Sequence, residues 1–348
     1  MNNNSKSQYL GVLQLFRGFA ALMVVVHHSI GSLKYYHKID YPILDYVASI
    51  GKFGVDFFFV LSGFIITYSA YYKYNEPNAF NHYIKNRLIR IYVPYLPIGI
   101  FMLVVYTLLP EFSNGNRDIS LLTSLTLIPY GNPALSVAWT LSFELCFYLL
   151  FSLSFFSKKV WNGFVFVWFM AIIIFTYSPL SSLQFLKIPI FRILFLPYNI
   201  EFILGFLLAL VIINKIKLNL FLVIFALVLF FSTFLYCTVN HFNFFKFDLN
   251  MLFALGIFLF IYIAISNCNL KIKSTAILMM VGNASYSIYL THNFLQMILI
   301  RLLPKINLIV SLIAALILVL TFSCIVGYGY YLLFEKKATE IIKSKLVE

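Results

Sequence analysis

Ionisable side chains are costly inside hydrocarbon, so those that interrupt apolar runs are the first candidates for chemistry. Residues 15–31 read LFRGFAALMVVVHHSIG. Arg17 and His28 are separated by three helical turns plus about 20°, which places them on one helix face about 16 Å apart along the axis. His27 points about 80° away. His28 therefore shares the arginine's face, while His27 packs or hydrogen-bonds elsewhere. A neutral imidazole is the usual base for a hydroxyl, and burial disfavours the imidazolium. The plainer alternative is a snorkelling arginine and a core histidine bonded to a neighbouring helix.

Further along, GKFGVDFFFVLSGFII sets Asp56 among aromatics, and Ser62-Gly63 permits another helix to come close. Asp56 suits a catalytic role and a structural one, pairing with a cation or capping a broken helix. In NHYIKNRLIRIYVPYLP, Arg87 and Arg90 fall on one face of a helical turn. Their guanidinium forks match phosphate oxygens, and they equally fit a topology signal beside lipid headgroups. AWTLSFELCFYLL carries Glu144 two residues after Ser142, and YNIEFILGF carries Glu201. Each such carboxylate needs a partner or a task. In VGNASYSIYLTHNFLQ, Ser285, Tyr289, His292 and Gln296 recur at i, i+4, i+7 and i+11. That polar stripe lines a cavity or a helix interface.

The elements that must carry these residues are membrane helices. The chain has 348 residues, 62% of them hydrophobic and 11% charged, with mean hydropathy +0.92. A soluble domain of that composition would lack a polar surface. The pattern reads as an all-α, polytopic membrane protein with about ten transmembrane helices, near 9–33, 50–72, 91–110, 135–156, 160–178, 192–213, 218–239, 248–266, 276–300 and 307–334. The whole of 1–348 reads as a single transmembrane domain with no soluble extracytoplasmic domain. Residues 111–134 form the longest loop, whose apolar middle, ISLLTSLTLI, could dip into the membrane or cover a cavity.

The formal charge of +13 is scattered through short loops, which argues for topology signals rather than a nucleic-acid surface. Inner segments, including Lys73, Lys85, Lys158, Lys159, Lys215, Lys217, Lys336, Lys337 and Lys343, outweigh outer ones such as Lys34, Lys38, Arg117, Lys187 and Arg192. Both termini are therefore expected in the cytoplasm. The first apolar run lacks a small-residue cleavage site and reads as a retained helix. Cys146, Cys237, Cys268 and Cys324 have unrelated spacings that indicate neither a metal site nor a disulfide framework.

Taken in order, FRGFAALMVVVHH, FGVDFFFVLSGF, RLIRIYVP, WTLSFELCFYLL, YNIEFILGF and SYSIYLTH make the chain resemble the acyltransferase-3 family of bacterial integral membrane proteins. That family pairs an Arg with a His at the spacing of Arg17 and His28. The resemblance implies that Arg87 and Arg90 correspond to its cytoplasmic arginine motif, Glu144 to its fourth-helix glutamate and His292 to its late histidine. Asn199 stands near where that pattern has a basic residue. The implied activity is transfer of an acyl group, often acetyl from acetyl-CoA, to a sugar hydroxyl of an envelope glycan. The implied location is the bacterial inner membrane.

The leading expectation is O-acetyl transfer to a lipid-linked or surface polysaccharide, such as an O-antigen or exopolysaccharide. His28 would be the base, with Glu144 or Asp56 holding its ring or the acceptor. Arg17, Arg87 and Arg90 would hold the CoA phosphates, and a pantetheine arm would reach toward His28. Ser142, Ser285, Tyr289 and His292 would line the cavity. Acyl-CoA is the expected donor substrate, with no permanently bound cofactor, no metal and no nucleic acid. A covalent acyl-His variant is less favoured. The rival class is a proton-coupled carrier or flippase of a glycan or small metabolite, which buried His and Glu would also suit. The absence of paired, broken helices in two inverted halves counts against it.

Overall fold

The computed structural model describes residues 3–39, 41–110, 118–239, 247–267, 276–303 and 309–346. Arg117, Lys246, Lys271, Lys273, Lys305 and Cys268, and the side chain of Cys237, lie outside what is described. Among the described residues every regular element is helical, apart from one isolated bridge between Ile119 and Asn132.

The first helix, α1 (Asn3–His37), ends with Lys34 and His37 in its last turn, where cations favour the helix dipole. Pro42 opens α2 (Pro42–Lys52), its missing N–H falling where no helical partner exists. It is followed by α3 (Gly54–Tyr71) and α4 (Ala79–Leu108). At 30 residues α4 extends about 45 Å, well beyond a hydrocarbon core of about 30 Å. Its basic N-terminal turns are the surplus. Next come the short α5 (Leu121–Thr126), then α6 (Trp139–Phe151) and α7 (Lys158–Tyr177), the last capped by Ser157 accepting from the Val160 amide. A 44° bend separates α8 (Pro189–Phe195) from α9 (Tyr198–Ile213). The chain continues through α10 (Leu220–Val239), α11 (Phe247–Asn267), α12 (Ala276–Asn283), α13 (Ser285–Leu302) and α14 (Ile309–Tyr330). A π turn at Tyr331–Glu335 leads into α15 (Lys336–Leu346).

A helix or helix pair occupies each stretch expected to span. Among the described residues, six helical runs are long and apolar enough to cross a membrane, or seven if α8 and α9 count as one. Leu220–Thr233 and Asn250–Ser266 are shorter apolar runs. The stretch expected as one helix at 276–300 is broken at Ala284 into α12 and α13, just after the weak helix formers Gly282 and Asn283. Gly282 is needed there for another reason: a Cβ would come within 2.1 Å of the Gln14 carbonyl oxygen on α1.

The chain divides into two compact units, 1–61 with 207–331 and 62–206 with 332–348, the divisions falling within α3, α9 and the π turn. In the first unit α1 is the central post, packed against α2, α12, α13 and α14. Ile30, Leu33, Leu312 and Ile300 make one buried apolar seam there, and Val25, Ala284 and Ile288 make another. In the second unit α4 packs on α5, α6 and α15, and α7 packs on α8. Its interior is aromatic, with Phe147 stacked on Phe202 at 4.8 Å and Trp161 edge-on to Phe151 at 5.4 Å. Gly63 meets the Phe202 backbone so closely that a Cβ would lie 2.2 Å from its carbonyl oxygen.

A broken helix in lipid must satisfy the carbonyls it frees. Asn199 does this at the α8–α9 bend, donating to the carbonyls of Ile193 at 2.7 Å, Leu196 at 3.1 Å and Leu194 at 3.2 Å. Trp168 adds a bond to the Leu194 carbonyl at 2.7 Å. The apolar middle of the long loop is α5 and its flanks. Its hydroxyls knit the turn: Thr123 Oγ1 accepts from the amides of Tyr130 and Gly131, and Ser124 Oγ from that of Ala134. Tyr95 of α4 reaches over to the Ser124 carbonyl at 2.6 Å. Leu121 and Ile128 remain exposed.

Candidate functional site

In the first unit α1 meets α13 at the level of His28. Arg17 donates to Gln14 Oε1 at 3.5 Å. His27 turns to α2, its Nδ1 donating to the Ala48 carbonyl at 2.7 Å. His28 turns instead to His292, with ring centroids 5.2 Å apart. Tyr289 stands 5.7 Å from His292 and 5.7 Å from Phe58. His292 is wholly buried, whereas His28 retains some accessible surface. The His292 Nδ1 donates to the carbonyls of Tyr289 at 2.7 Å and Ile288 at 3.2 Å within its own helix.

The stripe of α13 is buried along its length at Ser285, Tyr289, His292 and Gln296. Its far end makes a helix contact: Gln296 Nε2 donates to Ser29 Oγ at 2.9 Å and to the Val25 carbonyl at 3.1 Å on α1. Asp56, in the first turn of α3, is buried and within electrostatic reach of Lys52.

The second unit holds Ser142, Glu144, Arg87 and Arg90. Ser142 is buried on α6. Glu144 Oε1 accepts from Ser62 Oγ at 3.1 Å and from the Tyr148 hydroxyl. The Arg87 guanidinium is held by rings, 5.6 Å from the Tyr83 centroid and 5.5 Å from that of Tyr148, and donates to Ser69 Oγ at 3.0 Å. Arg90 forms an ion pair with buried Glu335 of the π turn, N–O 2.5 Å. Glu201 is buried in the first turn of α9.

Arg87 and Arg90 open onto a cleft of about 320 Å³. Lys73, His82 and Lys343 share its lining with them, Glu76 is its acidic member, and Tyr83 and Phe155 give it an aromatic wall. Lys343 sits on α15, whose lysine-rich sequence places it beyond the hydrocarbon. Burial, and then the charges of Arg90 and Arg87, push its ammonium below the usual lysine range. Cations crowded this way without enough carboxylates favour an anionic ligand. Arg17, the third arginine expected to serve phosphates, belongs to the other unit.

Sequence reading missed Glu335, Lys73, His82 and Lys343. The charged run FEKK after the last apolar segment was the available signal for Glu335, since a carboxylate directly following such a run invites a cation partner. Lys73 and Lys343 counted only toward topology.

A family model described as an acyltransferase domain matches residues 11–328, which takes in all six stretches that carry the family resemblance. No curated protein and no solved structure matches the chain. The match spans most of both units, and the chain belongs to the acyltransferase-3 family of membrane acyltransferases.

Proposed function

We propose that this protein moves an acetyl group from acetyl-CoA to a hydroxyl of an envelope glycan, lipid-linked or at the surface, in the bacterial inner membrane. The observation that carries this reading is the basic cleft, where Arg87, Arg90, Lys73 and Lys343 gather beside an aromatic wall. A phosphorylated donor needs such a cleft, and a carrier of a neutral glycan has no use for it. Phosphate oxygens would be drawn to the two guanidinium groups, and the aromatic wall would lie beside the donor's nucleoside. Both termini and this cleft then belong to the cytoplasmic side, where acyl-CoA is made.

The chemistry is assigned to His28. The acceptor oxygen attacks the thioester carbonyl carbon, the new C–O bond forming as the C–S bond breaks. His28 takes the hydroxyl proton and returns it to the departing thiolate, leaving an acetyl ester and free CoA. Asp56 and Glu144 remain the candidate carboxylates for orienting the acceptor. Glu144 is held for such work by Ser62 and Tyr148.

The test compares envelope glycans from cells with and without the protein by mass and NMR spectra. The expected result is a gain of one acetyl group per repeat, lost in the His28→Ala variant. Glycans that change in amount or location but carry no new acetyl would replace the enzyme with a carrier.

A further inference from the structure

A base must present a bare nitrogen to the proton it removes, and an imidazole meets that demand only in one of two tautomers. Catalytic histidines are usually held in the right one by a carboxylate on the opposite nitrogen. Two imidazoles lie beside the His28 ring: His27, at 4.9 Å between centroids, whose Nδ1 is already given to the Ala48 carbonyl, and across the helix interface His292, at 5.2 Å.

The tautomer of His292 follows from its bonds. Carbonyl oxygens only accept, so a ring nitrogen 2.7 Å from the Tyr289 carbonyl carries the hydrogen. In the neutral ring Nε2 is then a lone-pair acceptor. That atom is buried and has no hydrogen-bond partner among the described residues. A buried acceptor left so is costly. Turned edge-on, two rings at this spacing bring facing nitrogens to about 3 Å, the length of a hydrogen bond. Such contacts are often loose without substrate and tighten when it binds.

We propose that His292 is the positioning residue of His28: its Nε2 accepts the N–H of His28 and so fixes the bare nitrogen of His28 toward the acceptor hydroxyl. The proposal rests on the reading of His28 as base. It makes the pair neutral before the reaction, so the orienting group brings no buried carboxylate into the helix interface. It also separates two tasks on α13. Gln296 ties the helix to α1 through Ser29 and Val25, while His292, one turn away, spends its outer nitrogen on chemistry.

Two substitutions divide the roles of the ring. His292→Asn keeps a donor where Nδ1 stands and loses the outer acceptor. His292→Gln can place its Oε1 where Nε2 stands. Acetyl transfer from radiolabelled acetyl-CoA to an isolated envelope fraction is measured for both, beside His28→Ala. The expected result is a kcat loss of about 10–100-fold for His292→Asn, the usual cost of an orienting partner, with the KM for acetyl-CoA unchanged and with recovery in His292→Gln. Equal activity of the two variants, while His28→Ala is dead, would overturn the positioning role and leave the base in place. An active His28→Ala would instead remove the base reading itself. Should both His292 variants fail to fold, 15N NMR of histidine-labelled wild-type protein in bilayers decides: a single His28 tautomer is expected, and a mixture overturns the proposal.

Discussion

The two units both bury polar side chains among apolar helices, and they stabilise them by different means. In the first unit, Arg17 and the Asp56–Lys52 pair aside, the groups around His28 are hydrogen-bonding imidazoles and an amide: His27 on the Ala48 carbonyl, His292 on the carbonyls of its own helix, Gln296 on Ser29 and Val25. In the second unit they are ions: Glu144 beneath two hydroxyls, Arg87 against two tyrosine rings and Arg90 paired with Glu335. Proton transfer inside a bundle gains from neutral groups that can exchange hydrogens without leaving a stranded charge. Recognition of a polyanion gains from fixed cations at an open cleft. The chemical contrast matches the proposed division between base and donor site.

The sharpest way to break that contrast is to substitute the two adjacent histidines separately. His28→Ala should lower acetyl transfer by about 10²–10⁴-fold, the range a general base supplies. His27→Ala should keep most of it, because its ring is tied to Ala48 rather than turned to His292. Glycan acetylation in cells, at matched membrane levels of the two variants, checks this. Equal losses would mean that the neutral cluster acts as a packing unit.

In the ionic unit the largest effect should be on stability. Arg90 keeps 30% of its side-chain surface while Glu335 keeps 2%, so the two partners are not equivalent. Removing the arginine takes its ion-pair cation from a buried carboxylate; removing the carboxylate leaves a cation that water can still reach. Arg90→Ala should cost about 3 kcal/mol, the low end of what a broken buried pair loses. Glu335→Gln should cost less. Thermal unfolding in detergent measures both. The double variant Arg90→Met with Glu335→Leu should recover stability without recovering acetyl-CoA binding, which separates the pair's structural task from its donor task.

How much of this was legible in the sequence depended on range. The helical period alone put Arg17 with His28 and turned His27 aside, because a 3.6-residue repeat is local geometry. The same arithmetic found the stripe of α13, but not whether its surroundings were wet, and Gln296 turned out to bond across to α1. Glu335 lies 245 residues from Arg90, and no pattern along the chain announces such a partner. Asn199, noticed only as a departure from the family pattern, closes the carbonyls of a bent helix pair that a hydropathy window reads as one span. The break at Ala284 escaped for a similar reason: hydropathy is blind to the close helix contact that requires Gly282.

A smaller effect distinguishes the cations of the cleft from one another. Arg87 is placed by Tyr83, Tyr148 and Ser69 rather than by a carboxylate, so its charge is available to a donor phosphate. Arg87→Ala should weaken acetyl-CoA binding about tenfold, roughly one charge-assisted hydrogen bond. High salt should reproduce part of the loss in the wild type by screening. Equilibrium binding to purified protein checks both, and unchanged affinity in Arg87→Ala and Arg90→Ala would return the pair to a topology role.

The finest test lies at Lys343. Its ammonium titrates below the usual lysine range because it is partly buried in the cleft and because Arg90 and Arg87 repel it. As pH rises, this lysine therefore loses its charge before an ordinary lysine does, and an anionic donor loses one attraction. Bound phosphate would oppose the repulsion and draw the group back up. Acetyl-CoA affinity should accordingly fall on the alkaline side by a few-fold, about what one partly exposed charge contributes, while the step assigned to His28 keeps its rate at saturating donor. Lys343→Arg carries a charge that does not titrate in this range and should flatten that alkaline limb. Lys343→Met should make affinity uniformly low and equally flat. If the limb persists in both variants, the titrating group lies elsewhere in the cleft, and α15 contributes packing rather than charge to donor binding.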